Sequence, residues 1–179
     1  CLIPLIDKSE DKAIQLASEI IDNFQNIYEE KWLNMMRDKL GLFGKSKDDK
    51  KLIDDLLTWM EKNKADYTNT FCYLMNVKIG NNSLYDDKEF INWSKNWKNR
   101  ISINDNSKEK SLDLMKETNP IIIPRNHKVE EALKSANEDN LEVMNKLLSK
   151  FDNPYGEQKG IEDYQLPSLD DNYQTFCGT

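Results

Sequence analysis

Apolar residues recur along most of this chain at steps of three and four, the spacing of one face of an α-helix. In the first long run Ala13, Ile14, Ala17, Ile20, Ile21, Phe24, Ile27, Tyr28, Trp32, Met35, Met36 and Leu40 keep that period, which predicts a helix from Ser9 to Leu40. Ser9 followed by Glu10 and Asp11 suits its start, and Gly41 suits its stop. Leu52, Ile53, Leu56, Leu57, Trp59 and Met60 mark a second helix. Asp66 stands where it would cap a third, carrying Phe71, Leu74 and Met75. Asp86 or Asp87 would cap a fourth, with Phe90, Trp93, Trp97 and Ile101 at the same period. A shorter helix is expected near Ser107 to Met115, broken before Pro120. Two more follow Pro124, one through Val129, Ala132, Leu133 and Ala136 and one through Leu141, Met144, Leu147, Leu148 and Phe151. The step at Asn137 to Asn140 reads as a tight helical hairpin.

After Asp152 the character changes to Pro154, Gly156, Gly160 and Pro167 among aromatics, which predicts an extended tail packed over the helices. No segment alternates with period two over the length of a strand. The expected fold is therefore all-α: a bundle of about seven helices with an extended, irregular C-terminal tail. Residues 1–179 are read as a single helical domain, with the bundle over 1–151 and the tail over 152–179. Gly44 to Lys50 and Lys78 to Tyr85 are internal loops of that domain.

At 179 residues the chain is long enough to bury roughly two thirds of its unfolded surface without a metal or disulfide scaffold. Thirty-two acidic against 25 basic residues give a net charge of −7. That balance repels phosphate backbones and anionic lipid, and the basic residues are scattered. Neither nucleic acid nor a membrane is expected as a partner. No run of 18 apolar residues occurs, and the opening Cys1-Leu2-Ile3-Pro4-Leu5-Ile6 is too short and too uncharged for a secretion signal. The expectation is a soluble, cytoplasmic chain. Three cysteines, Cys1, Cys72 and Cys177, are odd in number and widely spaced, which suits a reducing compartment better than a zinc site. A first residue that cannot be an initiator predicts a piece of a longer protein.

Candidate chemistry is sparse. His127 is the only histidine, and near a helix start it reads as a capping or surface group. Gly44-Lys45-Ser46 has the ending of a phosphate loop, but Lys39 stands where the earlier glycine belongs and a helix, not a strand, precedes it. The acid pairs Asp48-Asp49, Asp54-Asp55, Asp86-Asp87 and Asp170-Asp171 read as solvated surface or helix caps. Trp32, Trp59, Trp93 and Trp97 fall on apolar stripes and read as core. Asn81-Asn82-Ser83 and Asn92-Trp93-Ser94 fit the glycosylation triplet, a short pattern common by chance in so asparagine-rich a chain.

Several segments combine polar and special-geometry residues in ways packing alone does not require. They are Met36-Arg37-Asp38-Lys39-Leu40-Gly41-Leu42, Asp66-Tyr67-Thr68-Asn69-Thr70-Phe71, Trp93 with Trp97 and Arg100, Asn119-Pro120 with Arg125-Asn126, and Asn153-Pro154-Tyr155 leading to Cys177. In that order, from about Phe24 to Thr179, they resemble the C-terminal part of the selenoprotein O family. The resemblance implies a parent whose larger N-terminal part has a protein-kinase-like fold. Such a parent binds ATP in a flipped orientation, with a divalent metal such as magnesium, and transfers AMP to hydroxyl side chains of proteins.

The glycine-rich loop, phosphate-contacting lysine and metal-binding Asp and Asn of such a site are not found here. No catalytic, cofactor-binding or metal-binding residue is therefore assigned. The resemblance implies three things for this piece. Its partners are the N-terminal kinase-like domain of the same protein and the parent's protein substrates. Cys177, third from the end, is a regulatory redox candidate, associated in bacterial members with a disulfide to the kinase-like part. Arg37, Asp66, Arg100, Arg125 and Asn126 are structural polar joints that fix helix order, since paired arginines impose orientation as well as attraction. The piece is expected to be a scaffold and candidate redox gate. The competing reading is a stand-alone helical interaction module without enzymatic activity.

Overall fold

The apolar stripes fold as helices. In a computed structural model describing residues 2–80, 83–103 and 108–168, the helices are α1 (Ile3–Ile6), α2 (Glu10–Lys39), α3 (Asp49–Lys62), α4 (Tyr67–Leu74), α5 (Lys88–Ser102), α6 (Lys108–Thr118), α7 (Asn126–Asn137), α8 (Glu142–Lys150) and α9 (Glu162–Gln165). No strand occurs among the described residues. The fold is all-α, as the periodicity predicts.

Side-chain caps open two of these helices. The Asp66 carboxylate accepts the amide of Asn69 and opens α4. Of the two candidates before α5, Asp87 is the cap, accepting the amides of Glu89 and Phe90, while Asp86 ends a 3-10 turn over Ser83–Asp86. Gly41, with φ +67°, turns the chain out of α2. Its own Cβ would stand 2.6 Å from the Ser111 carbonyl oxygen, so the position demands glycine for both conformation and space. Asp139, at φ +59°, makes the tight turn between α7 and α8. There the amide of Asn140 donates to the Ser135 carbonyl and the Ser135 hydroxyl to the Asn140 carbonyl.

Three elements lie outside the sequence reading. The helices α1 and α9 and the 3-10 turn are each four residues long, too short to show a period. The described part of the tail is accordingly not wholly irregular, because α9 lies within it.

Contacts divide the chain into two compact units, Cys1–Arg37 and Asp38–Thr179. The first is dominated by α2, in which every residue from 18 to 31 is exposed. The second holds an aromatic core between α3 and α5. Trp59 packs on Phe90 at 4.6 Å between ring centroids, Tyr73 stacks on Tyr85 at 4.0 Å, and Trp93 lies parallel to Trp97 at 5.9 Å. Each buried indole finds an acceptor. Trp59 donates to the Asp87 carboxylate, Trp93 to the Leu52 carbonyl and Trp97 to the Leu40 carbonyl, all at 2.8 Å. The rings thus supply apolar area while their N–H groups satisfy a cap and two backbone oxygens.

Candidate functional site

Three of the five polar residues singled out in the sequence, Asp66, Arg100 and Arg125, sit at joints between helices of the second unit. On α5 the stripe Phe90, Trp93, Trp97 ends on Arg100, three residues further along the same face, and all four are buried. On α3 the stripe Ile53, Leu56, Met60 begins four residues earlier on Asp49, which is fully buried. The two charges meet. Arg100 Nε donates to Asp49 Oδ1 at 2.7 Å and Nη2 to Oδ2 at 3.3 Å, and Nη2 also reaches the carbonyls of Phe43 and Gly44. Asp49 Oδ2 accepts the Ser46 amide as well. One buried ion pair thereby holds α3, α5 and the 43–46 loop together.

Asp49 corrects the sequence reading, which took the Asp48-Asp49 pair for solvated surface or a cap. The available signal was its register: it lies on the apolar stripe of α3, opposite in charge to the arginine on the apolar stripe of α5.

A second joint gathers around Asp66. Its carboxylate caps α4 through Oδ1 and takes both terminal nitrogens of Arg125, Nη1 to Oδ2 at 2.6 Å and Nη2 to Oδ1 at 2.9 Å. Arg125 Nη2 continues to the Gln165 carbonyl at 2.7 Å, which also accepts from the Asn69 amide group. The Gln165 side chain donates to the Ile121 carbonyl at 2.9 Å, and the Ile121 amide donates to the Pro154 carbonyl at 2.8 Å. The start of α4, the entry to α7 and the tail through α9 are therefore tied into one network. Arg125 Nε is buried without a hydrogen-bond partner.

Lys39 forms a third joint, across the second unit's α2 terminus. Its ammonium donates to Asn119 Oδ1 at 3.2 Å and lies over the rings of Tyr67 and Phe71, 5.5 and 5.0 Å from their centroids. The Asn119 amide returns a hydrogen bond to the Lys39 carbonyl. Burial pulls the Lys39 pKa down and pushes the Tyr67 pKa up.

The remaining candidates lie elsewhere. Arg37 is buried and donates to the Asn34 side chain one turn earlier on α2. Asn126 is exposed at the first position of α7. His127, beside it, has its pKa lowered by burial and by the neighbouring Lys128 and Arg125 charges. Cys177 and Cys1 lie outside the described residues. Cys72 is fully buried in α4 with its thiol facing the Pro120 and Ile121 carbonyls. Burial first, and the Asp66 charge second, push its pKa up to about 11, which makes it a poor nucleophile.

Chemically, this arrangement orients helices. Arg100 and Arg125 already grip carboxylates with two nitrogens each, which leaves a phosphate group little to bind there. Among the described residues no three His, Cys, Asp or Glu side chains converge to hold a metal. No helix among them is long and apolar enough to cross a membrane.

Comparison with known proteins gives this architecture its relatives. Residues 2–152 match the family model described as protein adenylyltransferase SelO. A protein nucleotidyltransferase YdiU of Pelagibacter ubique (strain HTCC1062) is 53% identical over 181 aligned positions, covering 100% of this chain and 38% of the relative. One from Bacillus cereus (strain ATCC 14579) is 45% identical, covering 99% of this chain and 37% of the relative. The chain thus spans somewhat over a third of the length of these curated relatives. With residues 2–152 matched by its model, the chain belongs to the SelO family.

Proposed function

We propose that this chain is the C-terminal helical part of a protein adenylyltransferase that transfers AMP from ATP, with magnesium, to Ser, Thr or Tyr hydroxyls of proteins. Its own role is that of a scaffold. The reacting groups belong to the remaining, kinase-like part of the parent, which is its principal partner. The observation that carries the scaffold reading is the pairing of one buried and one part-buried arginine with carboxylates. Arg100 is held by Asp49 and Arg125 by Asp66, so the groups best suited to grip a nucleotide phosphate are committed to fixing helix order. The names of the relatives, all protein nucleotidyltransferases, support the reaction class. In this reading Cys177 is the redox gate, its thiol tethering the tail to the kinase-like part when oxidised and releasing it when reduced.

The test is intact-mass spectrometry of the full-length natural protein that contains this sequence, incubated with ATP, magnesium and a test protein. An AMP-sized adduct is expected. A phosphate-sized adduct would replace the reaction by ordinary kinase transfer, and no adduct under either reducing or oxidising conditions would favour the stand-alone interaction module.

A further inference from the structure

The helix α2 is amphipathic, yet its apolar face stands in solvent. Ile20, Ile21, Phe24, Ile27 and Tyr28 are 67, 71, 64, 48 and 57% exposed. They adjoin one another at steps of three and four, and the Phe24 and Tyr28 rings stack at 6.2 Å to form a ridge. Helices draw most of their stability from packing such a face. A contiguous apolar patch of this kind on a free monomer marks an interaction surface.

Three observations narrow the occupant. The opposite face carries Glu19, Asp22, Glu29 and Glu30, which disfavours an anionic lipid surface. The stripe is also broad, because Ile21, Tyr28 and Met35 flank the row through Ile20, Phe24 and Ile27. A two-stranded coiled coil between copies uses the narrower a/d seam, whereas a wide face suits packing on a globular surface. Finally, the larger part of each curated relative's length lies outside the region this chain matches, which supplies a partner in the same polypeptide.

We propose that the α2 face centred on Ile20, Phe24 and Ile27 is the seam on which the rest of the parent polypeptide packs, through an apolar surface of its own. The inference rests on the reading of this chain as part of a longer nucleotidyltransferase. It assigns to one helix the surface that such a part must present.

Amide hydrogen exchange on the full-length natural protein, without nucleotide and at two concentrations tenfold apart, tests it. Residues 18–31 are expected to exchange at least about a hundredfold slower than an unprotected helix, independently of concentration. Replacing Ile20→Asp together with Phe24→Asp should remove that protection at 18–31 while α3 keeps its own, and Glu19→Gln on the far face should leave both unchanged. Fast exchange at 18–31 in the unaltered protein overturns the proposal. So does protection that grows with concentration, which would assign the face to a second copy. Because exchange is read without ATP, its failure leaves the AMP-transfer test standing, and failure of AMP transfer leaves the seam standing.

Discussion

Arg100 and Asp49 meet from the apolar stripes of two different helices, 2.7 Å apart, with side chains 9% and 0% exposed. Removing one partner strands the other charge in a dry site. Asp49→Ala is expected to destabilise by about 3–5 kcal/mol, read as a lower urea midpoint. The paired replacement Asp49→Leu with Arg100→Met should recover most of that loss, because an apolar pair of similar volume leaves no charge unpaired. Equal loss in the single and double variants would show that the loop contacts of Arg100, not the ion pair, matter most.

Gly41 offers a purely steric test. At φ +67° an added Cβ would lie 2.6 Å from the Ser111 carbonyl oxygen and 3.0 Å from Met115 Cγ, and backbone oxygen cannot yield as a side-chain tip can. Gly41→Ala is expected to lower stability by roughly 2–4 kcal/mol, combining left-handed strain with the clash. Thermal unfolding measures it, and an unchanged midpoint would contradict the close approach of α6 to this turn.

Cys72 makes stability depend on pH at the alkaline end. Its pKa rises on folding from the ordinary 9.0 to about 11, so the folded state holds the proton that the unfolded state releases. The contribution is fully present below pH 9 and is lost as pH climbs toward 11, in total roughly 2–3 kcal/mol. The raised pKa values of Tyr67 and Tyr85 act in the same direction. Cys72→Ala should flatten the fall in unfolding free energy between pH 9 and 11. The thiol of the native chain should also resist alkylation until the protein unfolds.

Much of this fold was legible because its helices are amphipathic and punctuated. Asp66, Asp87 and Gly41 stand at boundaries with a physical reason to be there, and Trp59, Trp93 and Trp97 lie in the core, while Trp32 is only half-buried. The polar joints were legible only in part. Arg100 and Arg125 drew notice as unusual residues, but their partners could not be paired from one sequence, since Asp66 and Arg125 are 59 positions apart. Asp49 was misread because adjacent acids in a polar stretch usually face water, although its register with Ile53 and Leu56 placed it inside. The exposed face of α2 had the opposite problem. Periodicity announces an apolar face without saying whether this chain or another surface covers it.

The most direct measurement on the central claim, that these joints position the fold and do not take part in the reaction, uses Arg125→Lys in the full-length protein. Lysine keeps the charge but cannot make the two-pronged grip on Asp66 together with the Gln165 contact. The account predicts a loss of about 1–3 kcal/mol in unfolding free energy, with the rate of the proposed AMP transfer per folded molecule unchanged well below the melting temperature. An unaltered melting temperature combined with lost transfer would contradict it, and would put Arg125 in contact with the reacting groups.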